Sequence, residues 1–118
     1  MVLIARALIK NPKILIMDEP ESHLDLKNQL KILNLVEELN AQGEYSIIIN
    51  THFPQHAFRI AQSTLMLGKS GYIFDKTEKV VNTNNLRHYF GIETEILSYE
   101  QGSKAYSTIL PLELHVSS

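Results

Sequence analysis

Ile14-Leu15-Ile16-Met17-Asp18-Glu19-Pro20-Glu21-Ser22-His23-Leu24-Asp25 is the stretch whose reading decides the fold. The unbroken apolar run at its start reads as a strand covered on both faces, as in a parallel sheet flanked by helices. Asp18, Glu19 and Pro20 end that run with charge and a breaker, so both carboxylates are expected at a strand's C-terminal end. Asp25 is placed to cap a following helix.

Downstream, Leu26, Leu30, Leu33, Val36 and Leu39 recur at helical spacing, and Gly43 supplies a stop, so a helix is expected from residue 26 to about 40. Ser46-Ile47-Ile48-Ile49-Asn50 repeats the buried-strand pattern, and Pro54 opens a helix to about residue 61. Strand, helix and strand in this order predict an α/β fold with parallel strands joined by a right-handed crossover helix. Ligands of such sheets bind beyond the carboxyl ends of the strands, so Asp18, Glu19 and His52 should converge on one rim.

Upstream, Leu3, Ile4, Ala7 and Leu8 are spaced as a helix, which Asn11-Pro12 ends near Lys10. Further on, residues 64–67 and 72–75 flank Lys69-Ser70-Gly71 as a hairpin. The run 82–85 precedes a short helix through Tyr89, closed by Gly91. Beyond Thr94 the alternation weakens; residues 106–114 are the better strand, and Pro111 suggests an edge. The chain is expected to divide into a core, 1–70, and a small α+β tail of hairpin, short helix and strand, 71–118.

With 118 residues, 44% apolar and 20% charged, the composition is that of one small globular domain. A formal net charge of -2 offers no broad positive field, which argues against nucleic acid as a partner. The absence of cysteine excludes disulfides and thiolate metal sites and fits a reducing cytosol. Apolar runs fall far short of the roughly 20 residues that span a bilayer, and the N-terminal pattern reads as a helix rather than a signal peptide. His23, His56, His88 and His115 show no metal-ligand spacing with acidic residues.

Taken singly, these motifs have plain readings: Asp18-Glu19-Pro20 as a solvated turn, Asp25 as a cap, His52 as a structural histidine. Together, Ile4-Ala5-Arg6-Ala7-Leu8, Asp18-Glu19-Pro20, Ser22-His23-Leu24-Asp25 and Thr51-His52 occur in the order found in ATP-binding subunits of ABC transporters. Residues 1 to about 70 resemble the C-terminal part of such a subunit, a partial P-loop NTPase core of the RecA-like type. The resemblance implies that Asp18 is the Walker B aspartate, holding magnesium through water, and that Glu19 is the general base. It likewise makes His52 the switch histidine that reaches the terminal phosphate, and places Ser22 and Asp25 in the D-loop that crosses between two ATP sites. The cofactors implied are magnesium and ATP, in a completed site only.

Within that family, residues 18–25, Lys27-Asn28-Gln29, 51–57 and 84–91 are most similar to importers of iron-siderophore complexes, haem or cobalamin. No Gly-Lys-Ser/Thr stands at phosphate-loop spacing, and neither a glutamine loop nor the signature sequence is present. The expectation is a truncated or split subunit, inactive alone, that joins a separate N-terminal half or a second nucleotide-binding subunit and a membrane permease. It would sit in the cytoplasm, peripheral at the inner face of the membrane when assembled. The family sheet would place the phosphate-loop strand between the strands at 46–50 and 64–67, so self-association across that vacancy is also expected. Two alternatives are a non-catalytic interaction module derived from such an ATPase and part of a DNA-repair-type ABC-like ATPase.

Overall fold

The computed structural model describes residues 14–116, so the expected helix ending near Lys10 lies outside the described residues. The chain divides after His52 into two compact units, earlier than the boundary at residue 70 drawn from sequence. The reason is visible in the hairpin around residue 70, whose two strands pair with each other and belong to one unit.

In the first unit, β1 (Ile14–Asp18) pairs in parallel with β2 (Ser46–Asn50), residue for residue from Ile14↔Ser46 to Asp18↔Asn50. The helix α1 (Leu26–Gln42) makes the connection. Asp25 caps it, accepting from the Asn28 amide at 2.9 Å, and Gly43 ends it at φ 73, a left-handed conformation that glycine adopts without penalty. The helix buries Ile32, Leu33, Val36 and Leu39. Leu26 and Leu30 lie on the expected stripe but stay exposed, because they occupy its first two turns, beyond the stretch that is covered.

The unbroken apolar run of β1 predicts cover on both faces, and only one is covered. Leu15 and Met17 are buried at 3% and 7% exposure, whereas Ile14 and Ile16 stand at 59% and 75%. Ile48 of β2 is also exposed on this alternation. The two strands bury one face and leave the other an exposed apolar surface.

The second unit opens with a single 3-10 turn, Pro54–His56, which passes directly into α2 (Ala57–Ile60), where one longer helix is expected. The hairpin of β3 (Ser63–Gly68) and β4 (Gly71–Lys76) follows, then the one-turn α3 (Thr77–Val80) and α4 (Thr83–Phe90). Asn82 caps α4 through the Asn85 amide at 2.8 Å, and Gly91 closes it. Ala57, Met66, Val80, Val81 and Leu86 form the core, with Phe58, Ile73, Tyr89 and Ile109 packed against it. Buried Thr77 is satisfied, donating to the Ala61 carbonyl at 2.8 Å and meeting Thr64 Oγ1 at 2.8 Å. Gly68 has its own reason: a Cβ there would come within 2.6 Å of the Tyr89 carbonyl oxygen.

The tail forms a second, longer hairpin of β5 (Ile92–Gln101) and β6 (Lys104–Leu114). Pro111 faces Thr94 where the register shifts; Glu93 pairs with Glu113, leaving Leu112 as the extra residue. The missing amide of proline is thus accommodated at a bulge on a strand that is an edge of its sheet.

The base of this hairpin is fastened by charge. Arg87 Nε donates to both Glu93 oxygens at 2.6 and 2.8 Å, and His115 Nδ1 lies 3.0 Å from Glu93 Oε1. The guanidinium holds the Glu93 carboxyl below its ordinary value of 4.5, and His115 adds to the effect. Since the folded value is the lower one, the unfolded chain takes up this proton first on acidification. The contribution is complete above about pH 4.5 and is lost as pH falls through the folded value. Glu93→Gln is therefore expected to flatten the acid limb of a Tm against pH curve, and an unchanged limb would show that the contact adds nothing in solution.

Candidate functional site

At the ends of β1 and β2 the chain leaves the sheet through two adjoining segments, and the acidic residues and the histidine expected on one rim stand there. Glu19 adopts φ 46, a left-handed conformation uncommon for a residue with a side chain. Its amide donates to the Asn50 carbonyl at 2.7 Å, and its own carbonyl accepts from the Ser22 amide at 3.1 Å. The result is a tight turn with Pro20 in its second position, a place that suits the fixed φ of proline. Non-glycine residues held in this region cost about 1–3 kcal/mol and cluster at functional sites.

The turn swings the Glu19 side chain toward the segment after β2, where its Oε1 lies 3.0 Å from His52 Nε2. Because a carboxylate only accepts, a hydrogen bond across this contact requires the proton on Nε2. The imidazole is 80% exposed and the carboxylate 33%, so the pair faces solvent. An exposed pair of this kind adds little stability, which leaves geometry as its consequence.

Asp18 points away from the covered side of the sheet, on the same alternation as exposed Ile14 and Ile16. Its Oδ1 accepts from Asn50 Nδ2 at 2.9 Å, its direct partner in register. Among the described residues no group of three or more His, Cys, Asp or Glu could cage a metal. Magnesium does not require one: it keeps several waters and takes one or two carboxylates together with substrate phosphates. The exposed Asp18 carboxylate at a strand end therefore fits as one donor to a hydrated ion and not as a complete site.

Ser22 closes the turn with its amide, and Asp25 caps α1. Of the five residues singled out from sequence, Glu19 and His52 are in direct contact, Asp18 is tied to the end of β2, and Ser22 and Asp25 shape the chain between β1 and α1. Three residues to which sequence reasoning assigned no role in the site also build it: Asn50, Thr51 and Glu21. Asn50 could have been found, since two five-residue strands in parallel bring their last residues into register. Glu21 is buried at 1% exposure and accepts from Thr51 Oγ1 at 3.0 Å. A glutamate after a proline in a charged run gives no sign of burial.

Comparison with known proteins gives a consistent result, although no protein-family model matches. The chain is 30% identical over 112 residues to an uncharacterized ABC transporter ATP-binding protein of Methanocaldococcus jannaschii, covering 94% of this chain and 42% of that protein. It is 36% identical over 90 residues to the molybdate import ATP-binding protein MolC of Haemophilus influenzae, covering 76% of this chain and 36% of MolC. With the iron(3+)-hydroxamate import ATP-binding protein FhuC of Bacillus subtilis it shares 34% over 104 residues, 87% of this chain and 39% of FhuC. A solved structure of a metal-chelate type ABC transporter in an inward-facing conformation matches with a TM-score of 0.86 at 31% identity, over 94% of this chain and 44% of that one. The chain thus spans about two fifths of the length of the curated relatives it matches.

Proposed function

We propose, from homology to ABC transporter ATP-binding subunits over most of the chain, that it supplies the water-activating part of an ATP site in an importer subunit. One observation carries this reading: Glu19 and His52 meet at 3.0 Å beyond the C-terminal ends of two adjacent parallel strands. Phosphoryl transfer to water needs an aligned nucleophile and stabilisation of charge on the transferred group, with little covalent work from the protein. Glu19 polarises the attacking water. His52 restrains the Glu19 carboxylate through Nε2 and extends an exposed ring toward the terminal phosphate. Asp18 would hold magnesium, and that ion would supply neutralisation of phosphate charge. Ser22 and Asp25 lie on the segment that faces a second subunit.

The chain holds no phosphate loop, so a triphosphate has no backbone cradle or lysine to fix it, and ATP hydrolysis by the chain alone is negligible. Its partners are a nucleotide-binding half that carries the loop and a membrane permease, at the cytoplasmic face of the membrane. No helix among the described residues is long and apolar enough to cross a membrane itself. The cargo is an iron-siderophore or related metal chelate, a reading supported by FhuC and the metal-chelate transporter among the relatives. The uncovered Ile14, Ile16 and Ile48 side chains also support self-association of the chain when no such half is present.

The test uses the purified chain with magnesium and ATP. No turnover above buffer is expected, together with species larger than a monomer in light scattering. Magnesium-dependent turnover that disappears in Glu19→Gln would overturn the division of labour, and a monodisperse monomer would overturn the self-association.

A further inference from the structure

An imidazole that is 80% exposed has no packing to orient it, yet His52 is held within hydrogen-bond distance of a carboxylate on another segment. The constraint must come from the backbone on either side of the contact. Glu19 sits on a turn pinned to β2 through its amide. His52 follows Thr51, and Thr51 Oγ1 donates at 3.0 Å to Oε2 of Glu21, two residues beyond Glu19. Glu21 is buried to 1% exposure, and its backbone carbonyl accepts from Gln29 Nε2 of α1 at 3.4 Å.

A buried carboxyl group is costly unless its oxygens find donors, so its place under the turn calls for a reason. An aliphatic side chain would fill the same space without that cost. We propose that Glu21 is the positioning residue of the Glu19–His52 pair: by accepting from Thr51 it locks the first residue after β2 against the turn that carries Glu19. The two segments are then joined by three links, the Glu19 amide to Asn50, Glu21 to Thr51, and Glu19 to His52. The first two are shielded or backbone links, which set the geometry of the third. This inference rests on the proposed roles of Glu19 and His52 for its meaning, but its geometry is testable without nucleotide.

The test is NMR of the chain itself, reading the nuclear Overhauser contact between the His52 ring protons and the Glu19 side-chain methylenes. Three variants are compared with the parent. Glu21→Gln keeps an acceptor oxygen, Glu21→Met keeps length without one, and Thr51→Val keeps shape while losing the donor. The contact is expected in the parent and in Glu21→Gln. It should be lost in Glu21→Met and Thr51→Val while the amide resonances of residues 53–116 hold their positions. A merely structural role would move stability without moving this contact selectively. If Glu21→Met does not fold, Thr51→Val decides, since it leaves the carboxyl group in place. Persistence of the contact in a folded Thr51→Val, or its absence in the parent, would overturn the proposal. Neither result depends on ATP turnover, so failure here and failure of the hydrolytic reading are told apart.

Discussion

Glu19→Gln is expected to lower ATP turnover by about 100-fold to 10,000-fold, the range over which a positioned general base contributes. The measurement needs a completed site, obtained by joining this chain to the phosphate-loop half of a full-length relative such as Bacillus subtilis FhuC, with which it aligns over 104 residues. Glutamine is nearly the same size as glutamate, and its carbonyl oxygen can still accept from His52 Nε2. The turn at φ 46 and the contact to the histidine therefore survive. What is removed is the capacity to take a proton from water. Nucleotide affinity should stay close to that of the parent, because the phosphate-binding groups lie on the other half. A variant that keeps parental turnover would remove Glu19 from the chemistry, and one that loses affinity along with turnover would make it a binding residue.

The part of the site that sequence made legible was the part carried by strand ends. An apolar run stopped by charge and proline places its last residue at a rim whatever the rest of the fold does, so Asp18, Glu19 and His52 could be assigned to one end of a parallel pair. The caps Asp25, Gly43 and Gly91 were equally readable, because each acts on backbone groups within a few residues of itself. These are local interactions, and local sequence contains them.

What escaped is long-range in sequence or depends on what covers a surface. Glu21 meets Thr51 thirty residues away, and nothing near either residue signals the other. The exposed faces of Ile14 and Ile16 contradict the two-sided burial that their pattern predicts, because period and apolarity report what a strand is suited to and not what is present to cover it. The weak alternation after Thr94 hid β5, since a two-stranded hairpin exposes much of both faces: Leu97, Tyr99, Leu110 and Leu112 are all open. The Pro111 bulge shifts the inward-facing set partway along.

The core of the second unit makes the sharper stability prediction. Leu86 of α4 is fully buried, with 0% exposure, among Ala57, Met66, Val80 and Val81. Leu86→Ala removes buried carbon and leaves a space whose walls come from α2, β3 and the turn of α3. Each of those is short and separately anchored, α3 through Thr77 to the Ala61 carbonyl. Such walls cannot collapse together without breaking those anchors, so the loss should lie in the range of about 2–5 kcal/mol typical of buried leucine. Leu26→Ala is the matched control: the same chemical change at 85% exposure on α1, expected within about 0.5 kcal/mol. Urea unfolding measures both, followed by a signal from residues 53–116 for Leu86→Ala and by one from residues 14–52 for Leu26→Ala. A Leu86→Ala loss below about 1 kcal/mol would mean that α4 repacks freely, in which case the Arg87–Glu93 and His115–Glu93 contacts at its end would be carrying the hairpin's attachment in its place.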